Sequence, residues 1–143
     1  MNHLFVLLLL NVALVAAAVF LHYEVLNRLS HDMPLLPLKP RGRIIFGVAA
    51  ILLAHSLEVS LFAFGYWLSI SFDQGALAGD FNGHISDYMY FSYVTFTTVG
   101  YGDIVAQGHI RWLAAIESLT GFVLITWTAS YFYIVMSQQW NHR

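Results

Sequence analysis

The sequence predicts an all-α membrane protein with three transmembrane helices and a short re-entrant helix in each chain. Three observations carry that prediction. Of 143 residues, 59% are hydrophobic and only 10% charged, against about 25% charged in an average soluble domain. Residues 4–26, 44–70 and 110–137 are apolar stretches, each longer than the roughly 20 residues that cross a hydrocarbon core of about 30 Å. Between the second and third lies an apolar-aromatic segment too short to cross, followed directly by a glycine-containing run. In a bilayer a spanning segment must satisfy its own backbone, so the three stretches read as helices.

The first helix runs from Leu4 through the Leu7–Leu10 block to Leu26. Ala16-Ala17-Ala18 looks like the cleavage region of a signal peptide, but no Lys or Arg precedes the apolar run, as such a leader would require. A retained helix is expected. Residues 27–43 hold Pro34, Pro37 and Pro40, the only prolines, and read as a loop. The chain thus divides into a segment 1–43, with one helix and a basic loop, and a segment 44–143. Within the second segment an outer helix 44–70 leads to a turret 71–86, whose Gly75, Gly79, Gly83, Asp73, Asp80 and Asn82 are loop residues. Ser86 or Asp87 can cap a short helix over 87–97, about 16 Å long at 1.5 Å per residue. It would enter the membrane half-way and return through residues 98–103 before the inner helix 110–137. Backbone of that kind is tolerated at membrane depth only where protein buries it or it lines a pore.

Composition narrows the function. Net charge is −2, so nothing points to nucleic acid, and the absence of cysteine excludes disulfides and thiolate metal sites. The seven histidines are scattered without a His-x-x-x-His pair that would suggest zinc, and Ser118, His109 and Asp103 have no nucleophile context. No enzymatic activity is expected. Aromatic residues make up 16% of the chain; Trp112 near one end of the inner helix and Trp140 near the other fit interfacial belts.

The run Thr97-Thr98-Val99-Gly100-Tyr101-Gly102-Asp103 resembles the selectivity filter of potassium channels. With it in place, Ile44 to Gln138 resembles the pore module of the tetrameric potassium-channel family: outer helix, turret, pore helix, filter, inner helix. The resemblance implies a passive K⁺-selective channel in which Thr98, Val99, Gly100 and Tyr101 coordinate potassium ions. Gly102 and Asp103 would complete the filter, with Tyr90 and Phe91 as its aromatic braces. Gly121 lies near the gating hinge of many members, and Phe122, Ile125 and Ala129 then share a face suited to the inner cavity. One chain supplies one filter strand, so three identical subunits are the expected partners in a homotetramer, alongside K⁺ and the lipid bilayer.

The residue chemistry is consistent with that reading. Carbonyl oxygens can replace the water of a K⁺ ion without the full charge that would trap it. Aiming successive carbonyls at one axis requires alternate residues in left-handed φ/ψ space, where glycine is favoured. Gly100 and Gly102 stand where that freedom is needed, Thr98 can add a hydroxyl, and Val99 and Tyr101 can pack behind the filter. Two features depart from the family pattern. Val94 occupies a position where some bacterial members carry a Glu paired with the Asp after the filter, and helix 4–26 is an addition to the two-helix pore. A weakly selective cation channel and a non-conducting accessory subunit are the alternatives.

Charge sets the expected orientation. Arg28, Lys39, Arg41 and Arg43 lie in loop 27–43 and Arg143 ends the sequence, with only Arg111 on the other side. Lys and Arg favour the cytoplasm, so the N-terminus is expected outside and the C-terminus inside, in a plasma (inner) membrane. Asp73, Asp80, Asp87 and Asp103 then face the outer entrance and attract cations. No Arg recurs every third residue as in a voltage sensor. Glu58, with His55 one turn earlier, and Glu117 are carboxylates inside spanning segments and should face protein or water. Asn11 is a polar candidate to meet Glu58, either in a hydrogen bond that fixes helix position or as part of a proton-sensitive gate.

Overall fold

The computed structural model describes the backbone of residues 2–141 and the side chains of residues 5–138. Arg143 and the Trp140 side chain, both invoked above, lie outside the described residues. The fold is mostly helical, as expected. Three helices are long and apolar enough to cross a membrane: α1 (Asn2–Asp32), α2 (Pro40–Ser71) and, after a short helix α3 (Ile85–Phe96), α4 (Ile110–Asn141).

The helix boundaries differ from the expected ones at the first connection. Residues 27–32 continue α1 instead of forming a loop, so Arg28 sits on a helix. The cause is packing: Leu26 and Leu29 are buried against Ile51, with Tyr131 and Phe132 alongside. The helix stops where Pro34 disfavours helical backbone at the residue before it, and Met33–Leu35 form one 3₁₀ turn. Pro40 then opens α2 at its first position, where its missing N–H is of no consequence. The true connection between the spanning helices is therefore much shorter than 27–43.

The turret is also more ordered than its composition suggested. Strand β1 (Gly75–Gly79) pairs antiparallel with β2 (Ile104–Gly108), with Gly75 opposite Gly108 and Gly79 opposite Ile104. This ladder ties the segment before the short helix to the segment after residue 103. Gly79 has φ +104° beside the Asp103 carbonyl, an approach no Cβ could share. The Asp80 amide donates to that same carbonyl at 2.9 Å. Leu77 and Ile104 turn into the main core, which gathers Leu14 and Ala18 of α1, Phe62 and Tyr66 of α2, Phe91 and Phe96 of α3, and Leu113 and Leu124 of α4.

Helix α3 begins two residues earlier than expected. Its cap position is His84, and neither Ser86 nor Asp87 takes that role. Asp87 instead accepts from the His84 amide at 3.2 Å and the Asn82 amide at 2.9 Å, satisfying free donors at the helix start. Those backbone amides, the Asn82 one first, hold the Asp87 carboxyl below the usual carboxylate range.

Candidate functional site

Helix α3 delivers its C-terminus to the Thr98–Asp103 run. Phe91 is buried edge-on against Tyr66, ring centroids 4.9 Å apart, and Phe96 packs on Phe62 at 6.3 Å. Phe91 thus fastens α3 to α2. Thr97 closes the helix, its hydroxyl donating to the Tyr93 carbonyl at 2.7 Å. The Val94 carbonyl, free at a helix end, then accepts from both the Val99 amide at 3.0 Å and the Gly100 amide at 3.2 Å.

Past that anchor the backbone alternates. Thr98, Gly100 and Gly102 have φ of +60°, +55° and +83°, while Val99 and Tyr101 between them do not enter the left-handed region. The two glycines were legible as such positions. Thr98 was not, because a β-branched residue is strongly penalised there; its amide bonds the Thr95 carbonyl at 3.0 Å, which helps hold it. Val99 and Tyr101 are 53% and 73% exposed on the single chain, so the described residues leave much of each side chain uncovered.

The Asp103 end of the run is held by a pair that does not involve position 94. The Tyr90 hydroxyl donates to Asp103 Oδ2 at 2.6 Å, and the Asp103 carboxylate also receives the Ile104 amide at 3.0 Å. The Asp103 hydrogen bond is the main cause that raises the Tyr90 hydroxyl to about 12; the Tyr90 hydroxyl in turn lowers the Asp103 carboxyl. The signs fix a pH window. A depressed carboxyl keeps its pairing above the unfolded value of about 3.9 and loses it as pH falls through the folded value. A raised phenol keeps its pairing below about pH 10 and loses it as pH rises through its folded value. Tyr90→Phe should therefore loosen the Asp103 end across that whole window. We expect currents that decay several-fold faster under sustained driving force in Tyr90→Phe than in wild type at pH 7. Acidification below pH 4 should speed decay in wild type but add little to the variant. Equal decay in the two proteins would show that the pair does not hold the run.

Behind α3, the buried Glu117 carboxylate of α4 accepts hydrogen bonds from Tyr66 of α2 and Ser92 of α3. Ser118 donates to the Thr95 carbonyl at 3.1 Å. Gly121 lies directly against the Phe96 carbonyl, where a Cβ would collide. These contacts seat α3 on α4 and so position the run that follows. Phe122, Ile125 and Ala129 of α4 are all exposed on the single chain, whereas Gly121 and Leu124 are buried.

Residues 48–138, well over half of the chain, match the family model described as "Ion channel". The chain belongs to this ion-channel family. No curated protein matches it. Membership gives the function class, passive ion permeation through a membrane, and the matched region covers all of α3, the Thr98–Asp103 run and the part of α4 that seats them.

A second polar cluster in this channel-family chain joins α1, α2 and α4. Glu58 of α2 is fully buried and meets His22 Nδ1 of α1 at 2.9 Å and His55 Nδ1 at 2.8 Å. Thr128 of α4 contacts the outer ring nitrogens of His22 and His55 at 3.4 and 3.3 Å. Asn11, the expected partner, is buried elsewhere on α1 and makes no contact with Glu58. The histidines are thus not all scattered. His22 and Glu58 are separated by the whole first connection, so no local spacing could pair them, although Glu58 alone was marked by its position in an apolar stretch.

Proposed function

We propose that the chain is one subunit of a potassium-selective channel, with Thr98, Val99, Gly100 and Tyr101 supplying the oxygens that replace the water of K⁺. The observation that carries this reading is the left-handed backbone at Thr98, Gly100 and Gly102 in a Thr-Val-Gly-Tyr-Gly-Asp run. Alternation of this sort turns successive carbonyls toward the same side, which one strand can use only when other strands face it. Four copies would close the ring, and a homotetramer also gives the exposed Val99 and Tyr101 side chains something to pack against. The C-terminal end of α3 points its partial negative charge at the same region, which favours a cation there. Phe122, Ile125 and Ala129 would line the cavity below the filter, in an arrangement with the N-terminus outside and the C-terminus cytoplasmic.

The test is electrical. Purified chain in liposomes, under opposed K⁺ and Na⁺ gradients, should give a reversal potential close to the K⁺ equilibrium value. A reversal potential midway between the two ions would make it a weakly selective cation channel. No flux from the purified chain alone would make it an accessory subunit.

A further inference from the structure

The His22–His55–Glu58–Thr128 cluster has more contacts than hydrogens as long as both rings are neutral. Two neutral imidazoles and one hydroxyl carry three hydrogens, and the cluster has four nitrogen–oxygen contacts. With both ring protons on Nδ1, two bare Nε2 lone pairs face a single hydroxyl proton. With both on Nε2, the Thr128 oxygen accepts from both rings through its two lone pairs. The two Nδ1 lone pairs then converge on the Glu58 carboxylate. That second arrangement is a ligand set: two imidazole nitrogens and an anionic oxygen, with the far N–H of each ring fixed by an oxygen acceptor, as metal-bound histidines usually are.

We infer that His22 Nδ1, His55 Nδ1 and the Glu58 carboxylate bind one divalent transition-metal ion, oriented by Thr128. One ligand atom from each of the three residues lies within 4.8 Å of the other two. In a tetrahedral site, bonds of about 2.0–2.2 Å to nitrogen and oxygen put neighbouring ligand atoms roughly 3.3–3.6 Å apart. The nitrogen–oxygen contacts of 2.8 and 2.9 Å are shorter than that, so an ion would part each ring from the carboxylate by about half an ångström. Imidazole with carboxylate selects zinc, cobalt, nickel or copper over magnesium or calcium. Charge favours the same occupant in this tautomer, because both histidines are then neutral and no Lys or Arg pairs with buried Glu58 among the described residues. Access is open on one side only. His22 and Glu58 are fully buried, while the His55 side chain is 15% exposed. It opens onto a cavity of about 430 Å³ lined also by Thr97, Ile125 and Thr128. The Trp127 ring, 5.3 Å from His22, closes another side.

The ion would tie α1, the helix outside the matched region, to α2 and through Thr128 to α4. This site is independent of the filter reading, and its test does not use conduction. The purified full chain in detergent is titrated with Co²⁺ and followed by visible absorption. Saturable uptake of one Co²⁺ per chain is expected, with the intense ligand-field bands of a four-coordinate site, reversed by Zn²⁺. His22→Gln and His55→Gln should each abolish the bands. Thr128→Val keeps all three ligands and should weaken Co²⁺ binding about 10–100-fold, as loss of an orienting partner does. Wild type without saturable uptake would overturn the site, whatever the variants do. So would unchanged bands in both histidine variants, or in Thr128→Val the affinity of wild type.

Discussion

Gly100→Ala should reduce K⁺ flux to background while leaving insertion and helix content unchanged. Gly100 has φ +55°, and a Cβ added there would meet nothing within 4 Å in the chain. The penalty is thus conformational, not a collision. A left-handed non-glycine residue costs roughly 1–2 kcal/mol, and a homotetramer would carry that cost four times. The backbone can escape by rotating out of the left-handed region, which turns the adjoining carbonyl away from the axis. The Gly100 amide would lose its bond to the Val94 carbonyl in the same motion. The apolar faces of α1, α2 and α4 are untouched, so circular dichroism and membrane extraction should match wild type. Liposome flux measured on the same preparation separates the two outcomes. Wild-type K⁺-selective flux in Gly100→Ala would remove these carbonyls from the conduction path.

Much of the architecture was legible because a bilayer constrains sequence so strongly. Three long apolar stretches and one short one could hardly have become anything but three long helices and one short one. The left-handed backbone at Gly100 and Gly102 was legible because glycine tolerates it. What escaped was whatever depends on distant parts of the chain. The β1–β2 ladder joins residues 75–79 to 104–108, and each half alone has only the glycine content of a loop. Arg28 was placed in a loop because the apolar stretch ends at Leu26 and all three prolines follow; the burial of Leu26 and Leu29 on Ile51 kept the helix going past it. Glu58 and Glu117 were conspicuous as carboxylates in apolar helices, yet their partners His22, Tyr66 and Ser92 belong to other helices. Within the Thr98–Asp103 run, Thr98 was the one left-handed position with no glycine to announce it.

Gly121→Ala should destabilise the folded chain and abolish flux together. Read from sequence, Gly121 fits a gating hinge; the structure gives it a steric reason as well. A Cβ at this position would run into the carbonyl oxygen and carbon of Phe96 and the base of its ring. Backbone cannot swing aside as a side-chain end can, so α3 must lift away from α4. Helix propensity pulls the other way, since Ala in a helix is favoured over Gly by about 1 kcal/mol. Overpacking typically costs 1–3 kcal/mol, and with a backbone carbonyl as the obstacle the upper part of that range applies, so the clash wins. Displacing Phe96 also moves the neighbouring Val94 carbonyl that holds the Val99 and Gly100 amides, which is why conduction should fail with stability. Gly42→Ala is the control, because its Cβ would meet only Leu38 at 3.6 Å and should leave both properties at or above wild type. Thermal unfolding in detergent discriminates the readings. A pure hinge predicts altered flux at unchanged melting temperature, whereas a close contact predicts a lower melting temperature. Gly121→Ala melting with wild type would show that α3 and α4 do not need this approach.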